Sequence, residues 1–498
     1  MTRLSLIFVL VLIKFIWGLE KIRLGKTGAF VDEQDRVVLF RGFNSVYKSP
    51  PWYDRNMLNR TQLVMFQKWG VNVIRLGMMW AGVMPNRGTV DQKYMETMEN
   101  IIDLCNEYGI YVLLDMHQDT LSTRFGGYDG LPLWLVDRFP KPPKERQYPW
   151  PYSEPPGQWF ENYLTYACMD CAEHLYLNTS GAWVDFGDFW ETVAAKYGSK
   201  ANVLGYEFIN EPPMSNFYKR PWNALPGYVG KNQLLPMYDY LVERIRKVDP
   251  ETLIFYEPLT YGVFLPSSFL NTGTGFDRVP GSLKDPQAAK KSVLSYHYYC
   301  WLLQTVDASK NMNWWQRFLC QTVLLPSVFK NSIESVRRSG GGRFLSEFGL
   351  CEPDGNPHSI NTLECRAVLD KADELFESWT YWDTNFLSPD GNPIHHQVKS
   401  FVRTYPVATK GTPIKMSFSV ESGEFHYLFL VETFGFNEHI KVAEIFVPFD
   451  VHYPKGIEIK IEPSSAKTEL KGNLVEIYVP GNISEMPTTI YVRMFRKP

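Results

Sequence analysis

Between residue 35 and about residue 400, short β-branched runs alternate with longer stretches whose apolar residues recur at helical spacing. Eight runs stand out, at 37–44, 71–77, 110–117, 203–210, 253–257, 293–299, 343–348 and 377–383, with amphipathic segments such as 61–69, 95–107, 186–197 and 234–248 between them. Eight βα repeats predict a closed (β/α)8 TIM barrel, an α/β fold. The connection after 110–117 is abnormally long, and its 132–159 part is crowded with Pro, Trp and Tyr, including Pro149-Trp150-Pro151-Tyr152. Long loops in compact domains are functional or disordered as a rule, and this aromatic content argues for a wall of a substrate cleft. The stretch 300–330, with Trp301, Trp314, Trp315 and Phe318, reads either as an amphipathic barrel helix packed on the core or as a lipid-facing rim.

After Tyr405-Pro406 the period becomes two, in the runs 415–420, 424–431, 441–447, 458–461, 474–479 and 488–495. Short alternating runs broken by Gly and Pro predict an antiparallel β-sandwich domain. The expected organisation is a signal peptide over 1–18, a catalytic barrel over 19–407 and a C-terminal sandwich over 408–498. The signal peptide is read from Met1-Thr2-Arg3 followed by the apolar run 4–13, which Lys14 ends too early for a membrane span.

Composition agrees with a folded chain: 45% of residues are hydrophobic, 21% charged, and 15% aromatic, enough for ligand-facing rings as well as core. A net charge of -3 without a long basic run gives nothing to bind nucleic acid and favours a neutral substrate. N-glycosylation acceptors at Asn59, Asn178 and Asn482 agree with secretion, into the extracellular space, a digestive lumen or a lysosome. Seven cysteines in such a compartment allow three disulfides. Cys105, inside a helical run, is the expected free thiol, and Cys168-Met169-Asp170-Cys171 reads as a disulfide rather than a metal site.

Candidate chemistry collects at the ends of the predicted strands. Glu211 follows 203–210 and Glu347 lies in 343–348, and they are joined there by Lys48, Arg75, His117, Asp119, Asn210, His297, Tyr299 and Trp382. Barrel active sites occupy that carboxyl-end face, and two carboxyls across one bond hydrolyse a glycoside without metal or cofactor.

The ordered set Arg41-Gly42-Phe43-Asn44, Ile74-Arg75-Leu76-Gly77, Asp115-Met116-His117, Asn210-Glu211-Pro212, Tyr296-His297-Tyr298-Tyr299, Ser346-Glu347-Phe348-Gly349 and Tyr381-Trp382 resembles glycoside hydrolase family 5, in the retaining clan A. Within that family, 44–48, Met116-His117-Gln118-Asp119 with the following 125–130, and the sandwich look like the endoglycoceramidases, which release a whole oligosaccharide from ceramide. The resemblance implies Glu211 as acid/base, Glu347 as nucleophile, and Asn210 on the hydroxyl beside the reacting carbon. Arg75, His117, His297 and Tyr299 would orient the carboxyls, and Lys48, Asp119 and Trp382 would hold the glucose. It also implies a monomer that needs no cofactor, with a glycosphingolipid substrate and transient contact with a membrane or micelle surface.

A proton donor must stay protonated near neutrality, so burial or the charge of Glu347 is expected to raise the Glu211 pKa, while Arg75 and Tyr299 keep Glu347 ionised. The alternatives are another family 5 β-glycosidase (a glucosylceramidase, cellulase or mannanase) and a non-catalytic glycolipid-binding protein.

Overall fold

A computed structural model describes residues 19–264, 273–352, 354–383, 392, 394–432, 439–480 and 487–498; the expected signal peptide and Asn482 lie outside them. Three two-residue strands come first, Arg23–Leu24 (β1), Phe30–Val31 (β2) and Val37–Val38 (β3). All eight predicted barrel runs then form strands: Arg41–Ser45 (β4), Val73–Gly77 (β5), Tyr111–Asp115 (β6), Val203–Glu207 (β7), Leu253–Tyr256 (β8), Ser292–Tyr298 (β9), Gly342–Phe348 (β10) and Trp379–Tyr381 (β11). Each pairs in parallel with the next, and β11 pairs with β4 to close the barrel. The strands are buried on both faces, one against the barrel interior and one against the helices, which is why they read as continuous rather than alternating apolar runs.

The helix Gln92–Glu107 shows how the outer layer is specified. Asp91 caps it by accepting from the Tyr94 amide, and Met95, Met98, Ile102 and Cys105 form the buried stripe at three- and four-residue spacing. Cys105 is a free buried thiol, as expected. At the amino end of the barrel, Phe30 from β2 stacks on Phe255 and meets Phe40 and Phe344 edge-on. The chain's first turns thus plug the barrel bottom and leave the opposite end open.

The C-terminal strands are Tyr405–Thr409 (β12), Thr412–Phe418 (β13), Phe425–Val431 (β14), His439–Phe446 (β15), Ile457–Glu462 (β16), Lys467–Lys471 (β17), Leu474–Pro480 (β18) and Thr488–Arg496 (β19). They form two antiparallel sheets, β13-β14-β19-β16 and β17-β18-β15-β12-β3-β2-β1, around a core that includes Phe425, Tyr427, Phe429, Ile445, Ile477 and Val492. The run 37–44, read as one strand, is two: Val37–Val38 pairs with β12 in the sandwich, and Arg41–Ser45 enters the barrel. The expected division at residue 408 falls inside β12.

One reading of the cysteines is corrected. Cys300–Cys320 and Cys351–Cys365 are disulfides, whereas Cys168 and Cys171 are free. Both lie in the buried helix Tyr166–Tyr176, where the Cys168 thiol donates to the Thr120 carbonyl at 3.6 Å and burial pushes both thiol pKa values up. They behave as small core residues.

Candidate active site

The carboxyl ends of the barrel strands deliver every catalytic and substrate-binding residue expected from the sequence to one cleft or to its floor. At the centre, Arg75 on β5 is fully buried. It donates to Glu347 at 2.7 Å, Asn44 at 2.9 Å, Asn210 at 2.8 Å and Glu257 at 3.3 Å, pairs with Asp115 at 3.1 Å, and binds Glu207 through its Nε. A guanidinium suits this position because it is permanently charged and offers five donors in a fixed plane. Burial alone would lower its pKa, but the surrounding carboxylates raise it well above the usual value.

Glu347 is aimed by a β-bulge. The β10–β9 register slips between Leu345 and Glu347, so Ser346 is extra and Glu347 lies opposite His297. The Ser346 carbonyl is held by the Asn44 amide at 3.1 Å and the Thr380 hydroxyl at 2.6 Å. Tyr299 donates to Glu347 Oε2 at 2.9 Å. Gly349 makes room for this contact, since a Cβ there would come within 2.5 Å of the Tyr299 ring.

Glu211 sits just past β7 with a left-handed φ of 39°, unusual for a residue with a side chain. Its peptide is gripped from both sides. Glu257 accepts from its N–H at 3.2 Å, and the Gln118 amide donates to its carbonyl at 2.8 Å and to that of Asn210 at 2.7 Å. His297 Nδ1 lies 2.9 Å from Glu211 Oε1 and 3.5 Å from Glu347 Oε2, and its Nε2 is 3.4 Å from Glu257. Glu211, His297 and Glu347 each contribute one such atom to a cluster in which all lie within 4.8 Å of one another. The two carboxyls therefore face one another closely enough to lie against one bond of a bound molecule.

The protonation pattern differs from the one expected. Burial opposes a charge on His297, yet the carboxylates of Glu257 and Glu347 and the bond to Glu211 raise its pKa well above the usual value. Burial likewise favours a protonated Glu211, but the hydrogen bond and charge of His297 outweigh it and the net shift is downward. Glu347 is raised by burial beyond what His297 and Arg75 offset. The hydrogen bond and the neighbouring charges thus favour the charged form of the His297 imidazole and the ionised form of Glu211. The sequence placed His297 at a strand end but gave no sign that it would stand among three carboxylates. Burial also raises Glu257, to about 8.

Around this pair lies a cleft of about 470 Å³. Lys48 binds Asp119 and lies 4.4 Å from the Trp382 ring centroid, and Trp382 stacks on His117 at 5.1 Å. His117 is held by Asp115 at 2.6 Å. Planar rings beside a charged pair suit a sugar, whose faces stack and whose hydroxyls hydrogen-bond. Trp159, Phe160, Met214, Tyr261, Phe264 and Trp301 add large apolar side chains to the lining. Asn210 lies beneath, its Oδ1 taken by Arg75 and one amide hydrogen by the Gln118 carbonyl at 2.9 Å. Asn59 and Asn178 are exposed, away from the cleft.

Of the loop 132–159 expected to wall the cleft, only Trp159 lines it, next to Phe160, Tyr163 and Leu164. Trp150 packs instead on Tyr166 and Tyr218. Glu207 and Glu257 were missed among the strand-end residues, although the run 253–257 ends on Glu257 and Glu207 lies within 203–210.

Comparison with known proteins identifies the family. The family model for cellulase, glycosyl hydrolase family 5, matches residues 31–388, and that for the glycoside hydrolase family 5 C-terminal domain matches 403–492. The chain is 30% identical over 496 residues to an endoglycoceramidase of Hydra vulgaris, covering 93% of this chain and 87% of that one. It is 26% identical over 457 residues to endoglycoceramidase I of Rhodococcus hoagii (strain 103S), covering 91% and 85%. In fold it is similar to endo-glycoceramidase II from Rhodococcus sp. in a ganglioside GM3 complex, with a TM-score of 0.74 at 21% identity over 94% of this chain and 99% of that one. Two facing carboxyls at the mouth of a parallel barrel, and both family models matched in order along the chain, make this protein a glycosidase belonging to glycoside hydrolase family 5.

Proposed function

We propose that the chain is a secreted, retaining endoglycosylceramidase that hydrolyses the β-glycosidic bond between the oligosaccharide and the ceramide of glycosphingolipids. The observation that carries this reading is a carboxyl pair in a cleft lined both by charged groups and by many large apolar side chains. A polysaccharide has sugar on both sides of the cut bond; an amphiphile has sugar on one side and hydrocarbon on the other. The endoglycoceramidases of Hydra vulgaris and Cyanea nozakii, similar over 93% and 89% of the chain, support the same substrate class. Entry into the secretory pathway rests on the charged-then-apolar start of the sequence and the glycosylation acceptors.

In this reading the sugar next to the cut bond lies on Trp382 between Lys48, Asp119 and His117, with its 2-hydroxyl toward Asn210. Glu347, held by Arg75 and Tyr299, attacks the anomeric carbon. Glu211 delivers the proton of the His297–Glu211 couple to the departing ceramide oxygen. The glycosyl–Glu347 ester then yields to water, which Glu211 deprotonates, so the configuration is retained.

The test is product analysis of a ganglioside digest. Intact oligosaccharide plus ceramide supports the proposal, and stepwise loss of single sugars, or no cleavage, overturns it. Glu347→Gln and Glu211→Gln are expected to lower kcat by about 10²-fold or more, the scale on which a positioned acid or base acts. Activity retained in either variant removes that residue from its role.

A further inference from the structure

Beside the reacting carboxyls, Thr120, Leu121 and Glu211 hold left-handed φ values of 52°, 67° and 39°. Residues with a side chain keep such a backbone only where their surroundings fix it. One buried side chain joins the two segments. Gln118, just past β6, donates from Nε2 to the Asn210 carbonyl at 2.7 Å and to the Glu211 carbonyl at 2.8 Å, while its Oε1 accepts from the Leu121 N–H at 2.9 Å. Its own carbonyl accepts from the Asn210 side chain at 2.9 Å.

In an extended strand successive carbonyls point opposite ways. The left-handed turn at Glu211 brings two of them to one side, where their dipoles repel and each needs a donor. A side-chain amide is the neutral group that carries two hydrogens on one nitrogen and an acceptor beside them, so Gln118 can serve both carbonyls and still hold Leu121. Two glycines press the loop down onto it. A Cβ on Gly130 would come within 2.5 Å of the Gln118 Cβ, and one on Gly127 would run into the Asp119 carbonyl and the Thr120 side chain. The segment 126–130 therefore lies directly on residues 118–120 and keeps the amide in place.

We propose that Gln118 is a positioning residue for the acid/base. Its amide holds the Glu211 backbone in the turn that presents the carboxyl to His297, and ties that turn to the loop whose Asp119 meets Lys48. Being fully buried, it acts through Glu211 and not on the substrate itself. The proposal rests on the reading of Glu211 as proton donor and deepens it by naming what fixes the point of delivery. Without the two N–H donors the paired carbonyls lose their partners, the left-handed turn loses its tie, and the carboxyl moves off the departing oxygen. A misplaced acid costs most where the leaving group needs a proton.

The experiment compares Gln118→Met with wild type on two soluble substrates that share one sugar, dinitrophenyl β-lactoside and octyl β-lactoside. Dinitrophenolate departs without protonation, whereas octanol requires it. For the octyl substrate kcat/KM is expected to fall at least about tenfold further than for the dinitrophenyl one, within the range that a positioned acid contributes. A loosened sugar grip or a partly unfolded enzyme would lower both alike, so the ratio isolates proton delivery. Gln118→Glu keeps the length and shape but replaces at least one N–H by an acceptor, and it is read the same way if the methionine variant does not fold. Equal losses on the two substrates, or unchanged activity, would overturn the proposal. Glu211→Gln, measured alongside, should show the same split. A split in Glu211→Gln that is absent from the Gln118 variants defeats the positioning role alone; its absence from Glu211→Gln defeats the acid/base reading and the positioning role with it.

Discussion

Glu257 is a buried carboxyl that serves two neighbours at once: it fixes the left-handed peptide of Glu211 and faces the ring nitrogen of His297 opposite the one that meets Glu211. Replacing it with Gln keeps the shape but removes the negative charge that Glu257 takes on above about pH 8, where it would hold the imidazolium. The His297–Glu211 couple then loses its proton at lower pH, so the basic limb of the kcat/KM profile for a soluble glycoside is expected to move down by about one unit, with kcat falling and KM little changed. An unmoved basic limb would leave Glu257 with a packing role only. Stability gives a second readout with a defined sign. The folded pKa of Glu257, about 8, lies above the ordinary carboxyl value, so its contribution is complete below about pH 4 and is lost as pH rises toward 8; His297, also raised, loses its contribution in the same direction. The melting temperature of wild type should therefore fall more steeply from pH 5 to 8 than that of Glu257→Gln. His452, held neutral by burial with its pKa down to about 4, acts oppositely, losing its contribution as pH falls from 6.5 toward 4, and does so equally in both proteins.

At the scale of elements, the barrel was legible because its strands are continuous apolar runs and its helices carry clear stripes; each of the eight runs became a strand. What escaped were the elements whose sequence lacks that contrast. Lys467–Lys471 is a polar edge strand, exposed along nearly its whole length, and Val37–Val38 joins β12 only through pairing with residues hundreds of positions away. Glu211 and Glu347 could be read as candidates from their strand-end positions, whereas Glu257 takes its place from Arg75, His297 and the Glu211 peptide, none of them a sequence neighbour. Cys168 and Cys171 mislead for a similar reason, since a short Cys spacing carries no information about which way each thiol points in a buried helix. The observed pairs instead clip the segments that follow β9 and β10, the strands leading to Tyr299 and Glu347. Thiol titration of the unfolded, unreduced chain should find three free cysteines and, after reduction, all seven. Cys300→Ser/Cys320→Ser, which opens a loop with a sequence separation of 20, should cost roughly 3 kcal/mol and lower kcat through the loosened Tyr299. A count of one free thiol before reduction would restore the sequence reading of Cys168 and Cys171 and refute this one.

For the whole molecule, the sandwich is built into the barrel and not appended to it. β12 pairs with β3, which leads through Leu39 and Phe40 into the first barrel strand, and the Tyr405 hydroxyl donates to the Gly70 carbonyl at 2.6 Å. Gly70 itself lies against Phe446 of β15, so closely that a Cβ would come within 2.5 Å of the ring. Arg403, buried, reaches back to Asp373 at 2.7 Å and to Asp370 at 2.7 Å, while Asp373 also pairs with Arg41 of β4 at 3.1 Å. Ending the chain at residue 402 would strip β3 of one of its two partners, bare Leu39 and Phe376, and leave Asp373 short of one of its two cations. Breaking a buried ion pair on one side alone costs about 3–5 kcal/mol, a large share of a typical net stability, before any apolar exposure is added. The chain truncated after 402 is therefore expected to be insoluble, and the full chain to unfold in a single calorimetric transition with no protease-resistant barrel released near residue 403. Two separate transitions, or a soluble truncated barrel that melts at the wild-type temperature, would show the sandwich to be dispensable. Any role of the sandwich in function thus has to be tested by surface substitutions in the intact chain, because deleting the sandwich would damage the strand that leads into the barrel.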